Sequence, residues 1–118
     1  MTATLFILNE APYGSERAYN GLRLAANMQR LDEGHEVVVF LMGDAASAAK
    51  SGQTTPNGYY NVNKMLGNVL RRGGRVIVCG TCMDERGLTQ EDLIEGAMRS
   101  TLDELTQVTL ASDKVLVF

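Results

Sequence analysis

The sequence predicts a single α/β domain, residues 1–118, built on an open parallel β-sheet of about four or five strands with helices on both faces. Two observations support this prediction. Nearly continuous runs of apolar and β-branched residues occur at positions 4–8, 37–42, 75–79 and 115–118, and runs without polar alternation are typical of strands buried on both faces. Helical periodicity fills the segments between them, and a length of 118 residues is that of one domain.

The first strand is followed by a helix predicted over residues 15–31. Ser15 is the expected N-cap, and Gly34 stands just beyond the end of the helix. Apolar residues recur at three- and four-residue steps and are expected to face the core: Ala18, Leu22, Ala25, Met28 and Leu31. The chain therefore begins with a strand-helix-strand unit.

Two helical segments and a loop are predicted between the second and third strands. A short helix over residues 45–50 has Asp44 as its cap. Residues 51–60 have the composition of a loop, and an apolar face over residues 62–70 indicates a second helix. This helix is expected to stop at Gly73 and Gly74, before the third strand.

Two capping-box patterns, Thr89 with Asp92 and Thr101 with Glu104, are expected to open further helices before the last strand. Met98 is expected on an apolar helix face, in the core. The second helix is predicted to turn three residues inward: Leu102, Leu105 and Val108.

The charge pattern argues against nucleic acid as the main partner. The net charge is −3, and acidic and basic residues are scattered along the sequence rather than segregated. The basic cluster of Arg71, Arg72 and Arg75 is interpreted as cations placed against the negative end of a helix dipole.

The apolar residues and the cysteines indicate a cytoplasmic protein. The apolar runs are too short to span a bilayer, and the first of them lacks the flanking features of a secretory signal, so no membrane partner is expected. A domain of this size does not need disulfides in order to fold. In a reducing compartment a close cysteine pair is more often catalytic, redox-active or metal-binding than structural.

The candidate site is the loop after the third strand, which contains both cysteines, Cys79 and Cys82. Sites in open parallel sheets form at the carboxyl ends of the strands, and a turn would bring the two Cα atoms within about 7 Å. Backbone N–H groups and the cation of Arg86 would favour a thiolate. Gly80 and Thr81 lie between the cysteines as supporting residues.

Tyr13 and Gly14, in the loop after the first strand, are expected to line the same pocket from the neighbouring strand. Their alternative role is a tight turn into the first helix.

Other cysteine chemistries fit the sequence less well. A thioredoxin-like motif is expected to have a proline downstream, whereas Pro12 and Pro56 both precede the pair. A zinc site needs four ligands, and the chain has two thiols and one histidine, so only a zinc site shared between subunits would be possible. Neither a metal nor another cofactor is predicted. A Cys-His dyad would need His35, which opens the second strand at the opposite end of the sheet. Two buried, unreactive cysteines remain the simplest alternative.

Five segments together resemble the YchN-like branch of the DsrE/DsrF sulfur-relay family, in order along essentially the whole chain: residues 11–16, 40–45, 58–61, 79–82 with 86–88, and 112–116. The resemblance implies a three-layer parallel α/β domain that assembles in the cytoplasm as a homo-oligomer, trimeric or hexameric.

The resemblance also implies a role for the candidate site. Cys79, followed by Arg86 and Gly87, matches the placement of the cysteine that accepts sulfur as a persulfide, so the chain would be a sulfurtransferase-like carrier with sulfur donor and acceptor proteins as partners. Cys82 departs from the relay pattern and could convert a persulfide into a disulfide. Two other functions stay open: a non-enzymatic homo-oligomeric module that binds a small ligand or partner, and a redox switch of Cys79 and Cys82.

Overall fold

A five-stranded, entirely parallel sheet forms the centre of the molecule, in the order β4-β3-β2-β1-β5. The computed structural model describes residues 2–118. The strands are β1 (Ala3–Leu8), β2 (Glu36–Leu41), β3 (Arg75–Cys79), β4 (Met98–Ser100) and β5 (Lys114–Val117). The predicted α/β class is confirmed, and β3 has the predicted bounds at both ends.

Helices connect the strands and cover the sheet. They are α1 (Arg17–Leu31), α2 (Val62–Arg71), α3 (Gly80–Glu85) and α4 (Leu102–Ala111). Short 3-10 segments lie at Gly43–Ala49, Pro56–Gly58 and Gln90–Asp92. Asn61 caps α2 by accepting a hydrogen bond from the backbone N–H of Lys64 at 3.1 Å, as short polar side chains do at helix starts.

The two faces of the sheet are covered unequally. On one face, α1, α2, α3 and the segment Gly43–Ala49 pack over the sheet and form the larger part of the core. On the other face α4 covers a smaller cluster, chiefly through Leu105 and Val108. Helices therefore lie on both faces, as predicted, and the carboxyl end of β3 is held between the two layers.

The segment before α4 differs from the prediction. The capping box of Thr89 and Asp92 is present, but it opens only the 3-10 turn Gln90–Asp92. The chain then forms the edge strand β4, in which Met98 pairs with Ile77 of β3 and has 56% of its surface exposed. The core position predicted for Met98 is therefore wrong, because an edge strand turns it toward solvent.

The predicted helix faces are right in the middle of the helices and wrong at their ends. Leu31 and Leu102, which are the last residue of α1 and the first residue of α4, are 71% and 70% exposed. Gln29 is buried in α1, and its amide donates a hydrogen bond to the carbonyl of Val69 at 3.0 Å. This bond ties α1 to α2.

The N-cap of α1 is Glu16, and its side chain makes no capping hydrogen bond. Ser15, the predicted cap, instead accepts a hydrogen bond from the backbone N–H of Arg17 at 3.4 Å.

Across residues 2–118, none of the helices combines the length and the apolar character needed to cross a bilayer.

Candidate functional site: a thiol pair at the carboxyl end of β3

Cys79 stands where β3 ends and α3 begins. Its side chain is half-buried and caps α3, because Sγ accepts a hydrogen bond from the backbone N–H of Cys82 at 3.4 Å. The hydroxyl of Thr81 lies 3.3 Å from the same sulfur. The N–H of Cys82 and the hydroxyl of Thr81 therefore both hold the Cys79 sulfur at the edge of the sheet. Thr81 itself is exposed.

Cys82 lies in the first turn of α3 and faces the neighbouring loop. Its Sγ accepts a hydrogen bond from the backbone N–H of Gly43 at 3.2 Å. Gly43 has a φ of +57°, and a Cβ at this position would meet the carbonyl oxygen of Asn9 at 3.2 Å. A glycine at this position therefore allows the positive φ and lets the loop after β2 pass close to Asn9, in the loop after β1, while its N–H reaches the Cys82 thiol.

The pKa values of the two thiols are shifted in opposite directions. For Cys79, partial burial works to raise the pKa, but hydrogen bonds from Cys82 and Thr81 outweigh it and hold the pKa below its usual value. For Cys82, burial and the neighbouring Cys79 raise the pKa, and the Gly43 N–H and the charge of Arg86 offset them only in part. Hydrogen bonds to a thiolate favour its formation, and a like charge nearby opposes it. Cys79 is therefore the thiol that ionises first.

Arg86 is near the thiols, but its charge is already paired. One guanidinium nitrogen donates to the carbonyl of Cys82 at 3.0 Å, and another lies 2.6 Å from Oδ1 of Asp44. The hydrogen bond with Asp44 is the main reason that the pKa of Arg86 is raised. Arg86 therefore joins the end of α3 to the loop after β2.

Arg99 is a site residue that the sequence did not indicate. Its guanidinium lies over Gly80, where a Cβ would meet three of its atoms at 2.9 Å. It is also held by two hydrogen bonds to the carboxylate of Asp84, at 2.7 and 2.9 Å. Because β4 pairs with β3 and places Ser100 opposite Cys79, Arg99 lies beside the thiol that ionises first. Only the edge strand brings it there, and that strand was not predicted.

Tyr13 and Gly14 lie in a different depression, of about 420 Å³, which they share with Tyr19 and Tyr60. The Tyr13 hydroxyl donates to Oε1 of Gln53 at 2.7 Å. Within residues 2–118, no hydrogen bond joins either of them to the cysteines. The structure thus brings Cys79, Gly80, Thr81, Cys82 and Arg86 together and places Tyr13 and Gly14 apart.

The structure places His35 away from the cysteines. His35 hydrogen-bonds to the hydroxyls of Thr2 and Thr4, at 2.8 and 2.7 Å, at the amino end of the sheet. Among residues 2–118 there is no group of three or more histidine, cysteine or acidic side chains able to hold a metal ion.

Fold and site together define a small parallel α/β protein with a thiol pair of unequal acidity at the carboxyl edge of its sheet. Residues 2–118 match the model of the DsrE/DsrF-like family, and the chain belongs to that family. It is 41% identical to protein YchN of Escherichia coli K12, with full coverage of both chains, and 44% identical to the uncharacterized protein MJ0989 of Methanocaldococcus jannaschii, covering 95% of this chain and 96% of that protein.

Two solved structures have the same fold. The crystal structure of YchN from E. coli covers both chains completely, with a TM-score of 0.95 at 41% identity. A protein of unknown function from Methanobacterium thermoautotrophicum, MTH1491, aligns over 97% of each chain with a TM-score of 0.78 at 14% identity, which shows the fold alone.

Proposed function

We propose that this protein is a small sulfur-relay carrier of the cytoplasm, on which Cys79 accepts sulfane sulfur as a persulfide and passes it on. The DsrE/DsrF-like family is associated with sulfur relay. The observation that carries the proposal is the Cys79 thiol itself, held at the carboxyl edge of the sheet by the N–H of Cys82 and the hydroxyl of Thr81, with a lowered pKa. The thiolate is the nucleophile in sulfur exchange.

The loading step needs only a thiolate and a donor persulfide. The Cys79 thiolate attacks the outer sulfur of the donor, a new S–S bond forms on Cys79, and the donor's S–S bond breaks. The inner sulfur of the donor persulfide leaves as a thiolate and takes the electron pair of the broken bond. No external oxidant or reductant is consumed, and transfer to an acceptor thiolate repeats the same exchange.

Cys82 sets how long the loaded form persists. Its thiolate could attack the inner sulfur of the Cys79 persulfide, form the Cys79–Cys82 disulfide and release hydrosulfide. The raised pKa of Cys82 keeps it protonated at neutral pH and slows this attack. A dithiol redox switch is the second candidate function, favoured by the 3.4 Å contact between Cys79 Sγ and the Cys82 backbone N–H within one turn.

We also propose that the chain works as a homo-oligomer, a trimer or hexamer, with protein partners as donor and acceptor. The thinly covered face of the sheet supports assembly, because apolar side chains of β5 and α4 remain exposed there: Val115, Val117, Leu102 and Leu110. Size-exclusion chromatography with light scattering measures this state, and a monomer at micromolar concentration would contradict it.

Sulfur loading tests the carrier proposal directly. The reduced protein is incubated with a cysteine desulfurase and cysteine, and intact mass with peptide mapping locates any added sulfur. We expect one added sulfur atom on Cys79, no loading of Cys79→Ser, and loading of Cys82→Ser with a longer-lived persulfide.

Cys82→Ser is the matched control, because it removes the neighbouring thiol and keeps Cys79. A wild-type protein that stays unloaded while a known carrier is loaded in the same reaction would refute the carrier function. Rapid accumulation of the disulfide in place of the persulfide would favour the redox switch.

A further inference from the structure

A groove on the outer surface between α1 and α2 gathers positive charge that is dispersed in the sequence. Its volume is about 950 Å³, and its lining contains four arginines, Arg23 and Arg30 from α1 and Arg71 and Arg72 from α2. No acidic residue contributes to the lining. The whole chain has a net charge of −3, whereas the lining of this groove is positively charged.

Three of the four arginines are held in place by neutral groups. Three pairs have the same i, i+3 spacing along a helix: Asn20 with Arg23, Asn27 with Arg30, and Asn68 with Arg71. In each pair an amide oxygen accepts from the guanidinium, which orders the side chain without neutralising its charge.

These arginines differ from three arginines elsewhere in the fold. Within residues 2–118, none of the four groove arginines has a carboxylate within ion-pair distance, whereas Arg75, Arg86 and Arg99 each pair with an acidic side chain. The charge of the groove is therefore available to a ligand.

We propose that this groove, named here the arginine groove after Arg23, Arg30, Arg71 and Arg72, binds an acidic segment of a partner protein. Apolar side chains contribute to the lining beside the arginines: Leu24, Ala26 and Met65. Leu24 is 39% exposed. A segment that carries both carboxylates and apolar side chains matches this combination.

The dimensions fit a short peptide. From residue 20 to residue 30 the groove follows α1 for about 15 Å, at roughly 1.5 Å per helical residue. An extended strand covers that distance in about five residues, at roughly 3.3 Å each. Such a segment can place a carboxylate against arginines of both helices.

A protein segment fits better than single-stranded nucleic acid. The lining contains no aromatic side chain on which a base could stack. Tyr19, the nearby aromatic residue, already lies 4.5 Å from the ring of Tyr60 and under the guanidinium of Arg23. The net negative charge of the chain would also repel a phosphate backbone that extends beyond the groove.

The test measures fluorescence anisotropy of a labelled eight-residue peptide against the full-length protein at low salt. Pairs of glutamate alternate with pairs of leucine in this peptide, so that each face of the extended chain carries both. Arg23→Glu combined with Arg71→Glu reverses one charge on each helix of the groove. Arg17→Glu combined with Lys114→Glu makes the same change in net charge at two exposed positions outside it. We expect the groove variant to bind about tenfold more weakly and the control variant to bind within about twofold of wild type.

Further arms separate the proposal from its rivals. Replacing leucine by serine in the peptide should weaken binding. If circular dichroism shows that the charge-reversal variant is not folded, the milder double variant Arg23→Gln with Arg71→Gln takes its place. Equal loss in the groove and control variants would show an effect of net charge alone and overturn the proposal. An oligothymidylate of equal charge that binds more tightly than the peptide, or a peptide that does not bind wild type, would also overturn it. Sulfur loading of Cys79 is independent of all these outcomes.

Discussion

The cysteine site and the arginine groove both contain arginines, but the two regions treat the charge in opposite ways. At the cysteine site, Arg86 is paired with Asp44 and Arg99 with Asp84. In the groove, the guanidiniums of Arg23, Arg30 and Arg71 are held by asparagines. The lowered pKa of Cys79 therefore rests mainly on hydrogen bonds, whereas the groove retains free positive charge for a ligand.

The largest effect is expected from a substitution next to the contact between α1 and α2, Gly74→Ala. A Cβ at Gly74 would meet the amide nitrogen of Gln29 at 2.7 Å and the carbonyl oxygen of Val69 at 2.9 Å. It would disturb the buried hydrogen bond that ties α1 to α2. We expect the free energy of unfolding in urea to fall by about 2 kcal/mol.

Gly34→Ala is the matched control, because its Cβ would meet only Asp32 Oδ1, at 3.9 Å. We expect its unfolding free energy to stay within about 0.5 kcal/mol of wild type. Equal stability of the two variants would show that the α1–α2 contact is looser than the structure describes.

The next effect concerns the hydrogen bonds of Cys79. Thr81→Val removes the hydroxyl that lies 3.3 Å from Sγ, so the pKa of Cys79 should rise. The rate of iodoacetamide alkylation at neutral pH should fall by about fivefold. Thr81→Ser keeps the hydroxyl and should react like wild type. Unchanged reactivity of Thr81→Val would show that the Thr81 hydroxyl does not lower the pKa of Cys79.

The smallest effects come from freeing each paired arginine. Asp84→Asn releases Arg99, whose charge interacts with Cys79, and Asp44→Asn releases Arg86, whose charge interacts with Cys82. Each substitution should lower the pKa of its own neighbouring thiol and raise its alkylation rate by about twofold, since exposed charges are screened by solvent. The two variants serve as each other's control. A faster reaction of Cys82 in Asp84→Asn, or of Cys79 in Asp44→Asn, would contradict this pairing of arginines with thiols.

The two regions also differ in how far the sequence predicts them. Cys79, Gly80, Thr81 and Cys82 are contiguous, and the carboxyl end of β3 is predicted from its apolar run, so local sequence brings these residues together. Arg99 reaches the site only through the edge strand β4, which has three residues and no periodicity to reveal it.

The arginine groove lay beyond sequence reasoning for a similar reason. Arg23 and Arg71 are separated by forty-eight positions along the chain, and only the packing of α1 on α2 makes them neighbours. The interpretation of Arg71 and Arg72 as helix-end cations fits their position at the end of α2, but it does not describe the surface that they form with α1. Tyr13 and Gly14 show the reverse case: they were expected beside the cysteines, but they line a depression whose lining contains neither cysteine.

We expect Cys79 to be the more acidic and more reactive of the two thiols. Alkylation of the reduced wild-type protein over a pH series, with peptide mapping of each cysteine, measures this directly. A lowered pKa means that the thiolate forms at lower pH, so Cys79 should react below the pH at which a free cysteine reacts, and Cys82 only above it. Cys82 reacting first, or both thiols reacting as free cysteine does, would contradict the account.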